Sequence, residues 1–162
     1  MAKRKLEIKK QVQEELSHLV FVYGTLKRGG SNHFMLDVPG AKFLSELTLP
    51  AGDFKMINVT NRYPALIYLP DDEKTTEIHG ELYAITNTVM KTLDILEGYK
   101  GVDMENLFNK YIYIINDEGS FLSKVDFFYI YIAGERLLRH LTGNPRVEFP
   151  EIPSGNWEIK KL

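Results

Sequence analysis

Glu97 is the carboxylate whose surroundings in the sequence best suit a base. It closes an apolar helical segment, residues 89–96, and stands immediately before Gly98. At that end of a helix the macrodipole disfavours negative charge. A carboxylate held there among apolar neighbours keeps its proton to a higher pH. That property serves a general base and is wasted in a structural residue, although a glutamate in a last helical turn is often simply solvated. The second candidate is main chain. Tyr23-Gly24-Thr25-Leu26-Lys27-Arg28-Gly29 leaves a buried-looking strand and opens into a glycine-flanked loop. Converging N–H groups in such a loop form a nest for a carboxylate or a developing oxyanion, and an ordinary strand-ending turn has the same composition.

Other chemistries lack their residues. There is no cysteine, so disulfides, thiolate nucleophiles and cysteine-ligated zinc are excluded. His18, His33, His79 and His140 are scattered, without an i, i+4 pair, and no metal site is expected. No GxSxG elbow and no GxxxxGK[ST] loop occurs. No cofactor is called for. A formal net charge of −2 supplies no basic field for nucleic acid or an anionic membrane. No stretch approaches the ~18 apolar residues of a membrane span, and the charged N-terminus does not resemble a signal peptide. A soluble, cytoplasmic protein with a small-molecule substrate is the expectation, with oligomeric state open.

The elements that must position these groups can be read from periodicity. With 162 residues, of which 44% are hydrophobic and 26% charged, the chain has the balance of one globular domain. Residues 1–17 read as a polar helical extension with a thin apolar stripe, leaving 18–162 as the domain. HLVFVY, residues 18–23, is a continuous apolar run that predicts a buried strand. Asn32 can cap a short turn over NHFML. Strands are expected over 41–48, 53–59, 65–68 and 77–85, with Gly80 marking a bulge or a close backbone approach. Thr86-Asn87-Thr88 offers caps for the clearest helix, which buries Val89, Met90, Leu93 and Leu96 and stops at Gly98. Asp94, one turn before Glu97, is expected to face solvent. Residues 109–115 and 124–132 predict a hairpin about Asn116-Asp117-Glu118-Gly119. Its second strand is apolar on both faces and so belongs inside a sheet. A short helix over 136–141 and an extended tail to Trp157 follow. Strands outnumber helices without βαβ alternation, which predicts an α+β fold with a small, mostly antiparallel, barrel-like mixed sheet and a few flanking helices.

Several of these segments together resemble the gamma-glutamyl cyclotransferase family, especially its gamma-glutamylamine branch. FVYGTLKRG followed by Asn32-His33 is similar to the family's substrate loop. Tyr63-Pro64-Ala65-Leu66, Gly80-Glu81-Leu82-Tyr83, Leu93-Asp94-Ile95-Leu96-Glu97-Gly98-Tyr99 and Pro153-Ser154-Gly155-Asn156-Trp157 follow in the family's order. The resemblance runs from about Val20 to Trp157. Tyr111-Ile112-Tyr113 stands where Tyr-x-Arg is frequent, and Asn156 where Asp is common.

The resemblance implies an enzyme that closes a γ-glutamyl group on itself. Its free α-amine attacks the γ-carbonyl, releasing 5-oxoproline and an amine, in an acyl transfer of transferase or lyase type. It implies Glu97 as the catalytic residue and the main chain of Gly24, Thr25 and Leu26 as the substrate nest. Tyr23 and Tyr129 are expected to line the pocket, although Tyr129 reads equally well as a core aromatic. The competing readings are a non-catalytic module that binds a small acidic metabolite or peptide end in the same pocket, and an interaction domain recruited through residues 1–17.

Overall fold

The computed structural model describes residues 14–114, 127–143 and 149–159. Five strands form one sheet in the order β2 (Ala41–Leu49), β5 (Ile78–Ile85), β1 (His18–Val22), β7 (Phe127–Ala133), β6 (Phe108–Ile114). All its pairings are antiparallel except β1 with β7, which is parallel. A separate hairpin pairs β3 (Phe54–Val59) with β4 (Tyr63–Tyr68). The expected α+β class and mixed sheet are present, but the sheet does not close into a barrel. Its two edges, β2 and β6, do not pair with each other, and β3–β4 forms its own sheet.

The apolar run of β1 alternates between two cores. Val20 and Val22 join Tyr83, Ile85, Tyr131 and Ala133 on one side. Phe21 joins Leu82, Phe128, Ile130 and Ile132 on the other. Both faces of the central strands are thus covered, which is why β1 and β7 lack polar alternation. As its two apolar faces predict, β7 lies between β1 and β6. Gly80 follows from the same crowding: a Cβ there would sit 2.4 Å from Phe21 Cζ and from Val22 O. Gly80 itself pairs regularly with Leu47, and the register shift lies further along, in β2 between Phe43 and Ser45, opposite Leu82 and Tyr83.

The first α-helix, α1 (Asn87–Leu96), is capped at Thr86, whose hydroxyl accepts from Val89 N–H. It buries Val89, Met90 and Leu93 against the sheet. Its end is a Schellman motif about Gly98, at φ +63°. Tyr99 N–H donates to Asp94 O at 2.9 Å and Gly98 N–H to Ile95 O at 3.2 Å, the paired bonds of that motif. Glu97 is therefore the C-cap residue, with its own N–H bound to Leu93 O. The second α-helix, α2 (Glu135–Thr142), runs one residue beyond the expected segment at each end.

The helix expected over residues 1–17 lies outside the described residues up to position 13, and 14–17 carry no regular structure. The expected hairpin turn at 116–119 also lies outside them. Glu14 accepts from Thr88 Oγ1 at 2.6 Å and from Thr88 N at 3.3 Å. This contact is fully exposed, so its energetic weight is small. Deleting residues 1–17 should leave a folded domain with turnover of its substrate intact and only a slight drop in melting temperature. Circular dichroism and activity of the truncated chain check this; a folded but inactive truncation would make the extension part of the site.

Candidate active site

The loop after β1 is held from both sides. Arg28 N–H donates to Glu81 Oε1 at 2.8 Å, and the Arg28 guanidinium reaches Glu81 Oε2 at 3.1 Å. Glu81 is buried and also accepts from the Tyr83 hydroxyl. Arg28 stacks over Phe43 at 4.0 Å. On the other side, Asn32 N–H donates to Thr25 O and Asn32 Nδ2 to Thr25 Oγ1, at 3.0 and 2.9 Å. The ring Nδ1 of His33 lies 3.0 Å from Leu26 O. Lys27 ties the loop to the tail, donating to Asn156 Oδ1 and Trp157 O. The expected cap at Asn32 takes another form, because its side chain bonds Thr25 rather than the short 3-10 helix His33–Met35.

Lys27, Arg28, Gly30 and Asn32 each have an acceptor for the main-chain N–H, whereas Gly29 and Ser31 have none among the described residues. Among the described residues, the N–H groups of Gly24, Thr25 and Leu26 have no protein acceptor. These three residues line a cavity of about 120 Å³ that Glu97 also lines. One water needs ~10–15 Å³ of such space, so the cavity matches several waters or a small acyl group. Gly24 packs against Pro64, where a Cβ would lie 2.8 Å from Pro64 Cγ. Phe21, Leu96, Leu107 and Phe108 make much of the remaining wall apolar.

Glu97 enters this cavity from the end of α1. Its carbonyl accepts from Phe108 N–H at 3.1 Å, fixing the helix end to the start of β6. Solvent still reaches part of the residue, but protein surrounds the carboxyl group densely enough to push its pKa up to about 7. Burial is the cause. The place of Glu97 at the helix C-terminus acts in the same direction. Among the described residues, nothing donates a hydrogen bond to this carboxylate or pairs with it.

Three phenols surround it. Tyr23, Tyr63 and Tyr131 line the same cavity. Each has its pKa raised chiefly by burial, with the charge of Glu97 adding to the effect. The Tyr23 hydroxyl donates to Tyr131 O at 2.6 Å, and the Tyr131 hydroxyl donates to Asp94 Oδ1 at 2.6 Å.

Of the residues expected at the pocket, the structure brings together Glu97, Tyr23, Gly24, Thr25 and Leu26. Tyr129 does not line it. The parallel register sets Tyr129 beside Val20, whereas the loop begins beyond Val22. Tyr131, two residues on and on the same face, is one strand repeat of ~6–7 Å nearer the loop and takes the wall position. Tyr129 instead packs beside Lys110, whose Nζ is 5.4 Å from its ring centre. Asp94 also departs from expectation. It is only 21% exposed and bridges Tyr131 to Lys110, whose Nζ is 2.9 Å away. Its position at i−3 from Glu97 puts both carboxylates on one helix face, and that face is turned inward. No group of residues suited to hold a metal occurs among those described.

The gamma-glutamyl cyclotransferase, AIG2-like family model matches residues 20–159. The chain belongs to this family. A gamma-L-glutamyl-butirosin B gamma-glutamyl cyclotransferase of Niallia circulans is 33% identical over 101 residues, 62% of this chain and 59% of that protein. The chain thus spans less than two thirds of that relative. A Vibrio cholerae relative bearing the family's name is 32% identical over 117 residues, covering 68% of this chain and 93% of its own. An AIG2-like protein from Mus musculus shares the fold, with a TM-score of 0.58 at 21% identity over 87% of this chain and 88% of the other. Tyr63, Tyr131, Asp94 and Lys110 were not singled out from the sequence as site residues. Tyr63 and Asp94 fall inside segments that carry the resemblance, Tyr-Pro-Ala-Leu and the helix end before Glu97, whereas Lys110 and Tyr131 fall only inside expected strands.

Proposed function

We propose that this chain is a gamma-glutamyl cyclotransferase with Glu97 as its proton-transfer residue and the main chain of Gly24–Leu26 as its anion nest. The observation that carries the reading is one cavity lined both by a carboxylate without a partner and by three successive residues whose N–H groups have no acceptor among the described residues. A γ-glutamyl group supplies both complements, an α-ammonium and an α-carboxylate.

Glu97 takes a proton from the α-ammonium. The freed nitrogen lone pair attacks the γ-carbonyl carbon, a C–N bond forms, and the carbonyl electrons move to oxygen. N–H groups of the loop hold the charged oxygens. The protonated Glu97 gives its proton to the leaving nitrogen. The electrons return from oxygen, the old C–N bond breaks, and the ring nitrogen gives its second proton to Glu97, which passes it to the released amine, leaving 5-oxoproline and an ammonium. Nucleophile and electrophile belong to one molecule, so the enzyme need only hold the folded conformer. Apart from the reacting group, the wall is largely apolar and aromatic, which favours expulsion of water from the ring-closing atoms. Incubation with a panel of γ-glutamyl amines, amino acids and peptides, with 5-oxoproline measured, tests the reading; binding of such compounds without turnover would sink it.

A pH profile gives a second check. An acid pushed from 4.5 to about 7 is protonated and idle as a base in mildly acidic solution. Turnover at saturating substrate should fall about tenfold for each pH unit below ~7, with the binding profile measured alongside to remove the substrate amine's own titration. An active enzyme with a level rate down to pH 5 would count against Glu97.

A further inference from the structure

The Tyr131 hydroxyl is one of three phenol donors whose residues line the cavity with Glu97. Both residues line the same cavity, and the charge of Glu97 is felt at the phenol. A hydroxyl that donated to the Glu97 carboxylate would stabilise its charged form and weaken it as a base. In the structure that proton points elsewhere. It goes to Asp94 Oδ1 at 2.6 Å, with the Met90 sulfur at 3.5 Å as a much weaker alternative. The other oxygen of Asp94 is held by Lys110 at 2.9 Å. Lys110 is fixed in turn beneath the rings of Tyr99, at 4.9 Å, and Tyr129, at 5.4 Å. Side chains from α1, the loop after it, β6 and β7 thus converge on one proton position.

We propose that Asp94, held by Lys110, is a positioning residue that claims the Tyr131 hydroxyl and so keeps the Glu97 carboxylate free of a donor. The other titratable groups around Glu97 are Tyr23, from the loop after β1, and Tyr63, at the start of β4 with Arg62 beside it. The Tyr23 hydroxyl is already committed to Tyr131 O. Asp94 itself makes no hydrogen bond to Glu97; its oxygens go to Tyr131 and Lys110. Its influence runs through the hydroxyl. Two acids three residues apart on one helix therefore have opposite tasks. One holds a proton donor permanently, and the other is kept without one until a substrate ammonium arrives. That last clause rests on the cyclotransferase reading; the hydroxyl assignment does not.

The test is a titration of the Glu97 side-chain carboxyl by carbon-13 NMR in the free, full-length protein, with Glu97→Gln used for assignment. It requires no turnover, so its failure is separable from a failure to find a substrate. Asp94→Ala releases the Tyr131 hydroxyl toward Glu97, and the midpoint should drop by about one pH unit, the order expected for one added hydrogen bond. Asp94→Asn keeps an acceptor oxygen while losing the charge, and the midpoint should stay at the wild-type value. In Asp94→Ala/Tyr131→Phe the hydroxyl is gone and the midpoint should return. Tyr131→Phe alone should leave it unchanged, which keeps the test available if Asp94→Ala does not fold. The proposal is overturned by an unmoved midpoint in a folded Asp94→Ala, or by equal drops in Asp94→Ala and Asp94→Asn, which would indicate charge. A drop that persists in the double variant, or a midpoint that rises in Tyr131→Phe, overturns it as well.

Discussion

Glu97→Gln is expected to lose 5-oxoproline formation by ~10²–10⁴ in rate, the usual worth of general acid–base assistance, while binding a γ-glutamyl ligand with nearly unchanged affinity. The substitution keeps the side chain's size and one acceptor oxygen, so the walls formed by Leu96, Leu107 and Phe108 need not repack. Because the lost interaction belongs to the reacting state, the effect falls on kcat rather than on substrate affinity. The same substitution has a second, opposite consequence for stability. In the unfolded chain Glu97 ionises near its ordinary value of 4.5, and in the folded one near 7. Below 4.5 both forms are neutral and the fold suffers no penalty. Between 4.5 and about 7 the unfolded state gives up its proton first, so stability falls as pH rises through the folded value. At about 1.4 kcal/mol per pH unit the full penalty is about 3 kcal/mol above pH 7. Glutamine cannot ionise, so Glu97→Gln should melt higher than wild type at pH 8 and equally at pH 4. Calorimetry at the two pH values reads this directly. A variant that turns over substrate at near the wild-type rate would remove Glu97 from the reaction; equal melting temperatures at pH 8 would mean its carboxyl is not buried in solution.

The parts of this molecule legible in the sequence are those fixed by local rules. Gly98 stops α1 because it takes φ +63°, and that places Glu97 at the C-cap whatever the rest of the chain does. The apolar run of β1 and the two-faced apolar β7 indicated central strands, because only burial on both sides removes the polar alternation. What local rules do not carry is register between distant segments. Tyr129 and Tyr131 share a face, and only the parallel alignment of β7 with β1 decides which of them meets the loop. Asp94 appeared solvent-facing because a single helix does not reveal its neighbours. It is the arrival of Lys110 from β6 and Tyr131 from β7 that turns it inward. Likewise the barrel-like closure expected from the strand count failed on topology. The β3–β4 hairpin closes on itself through a tight turn, with Thr60 at φ 54° and Asn61 at φ 59°, and leaves β2 and β6 as open edges.

Gly30→Ala should lower kcat/KM about a hundredfold with little loss of stability. A Cβ at position 30 would lie 2.2 Å from the carbonyl oxygen of Thr25 and 2.8 Å from that of Lys27. These are backbone atoms and cannot swing aside as a side chain does. Relief requires Thr25 to move on the order of 1 Å, and misplacement of that size at a positioning group can cost ~10² in rate. Thr25 is the residue that the mutation is least able to spare. Its carbonyl holds Asn32 N–H at 3.0 Å and its hydroxyl holds Asn32 Nδ2 at 2.9 Å. Thr25 also lines the cavity that Glu97 lines, and its own N–H has no acceptor among the described residues. Pushing the carbonyl outward rotates the 24–26 peptide planes and turns the nest away from where the substrate's oxygens must sit. Stability should change little because Gly30 lies outside both apolar cores. The loss of about one hydrogen bond costs ~1 kcal/mol. Gly30 is not at positive φ, so the effect is steric and not a matter of glycine's conformational freedom. Kinetics and thermal melting of the same preparation separate the outcomes. A large drop in kcat/KM with a near-native melting temperature supports the loop main chain as the substrate's anchor. Wild-type kinetics in a folded Gly30→Ala would show that the reaction does not depend on where those N–H groups point.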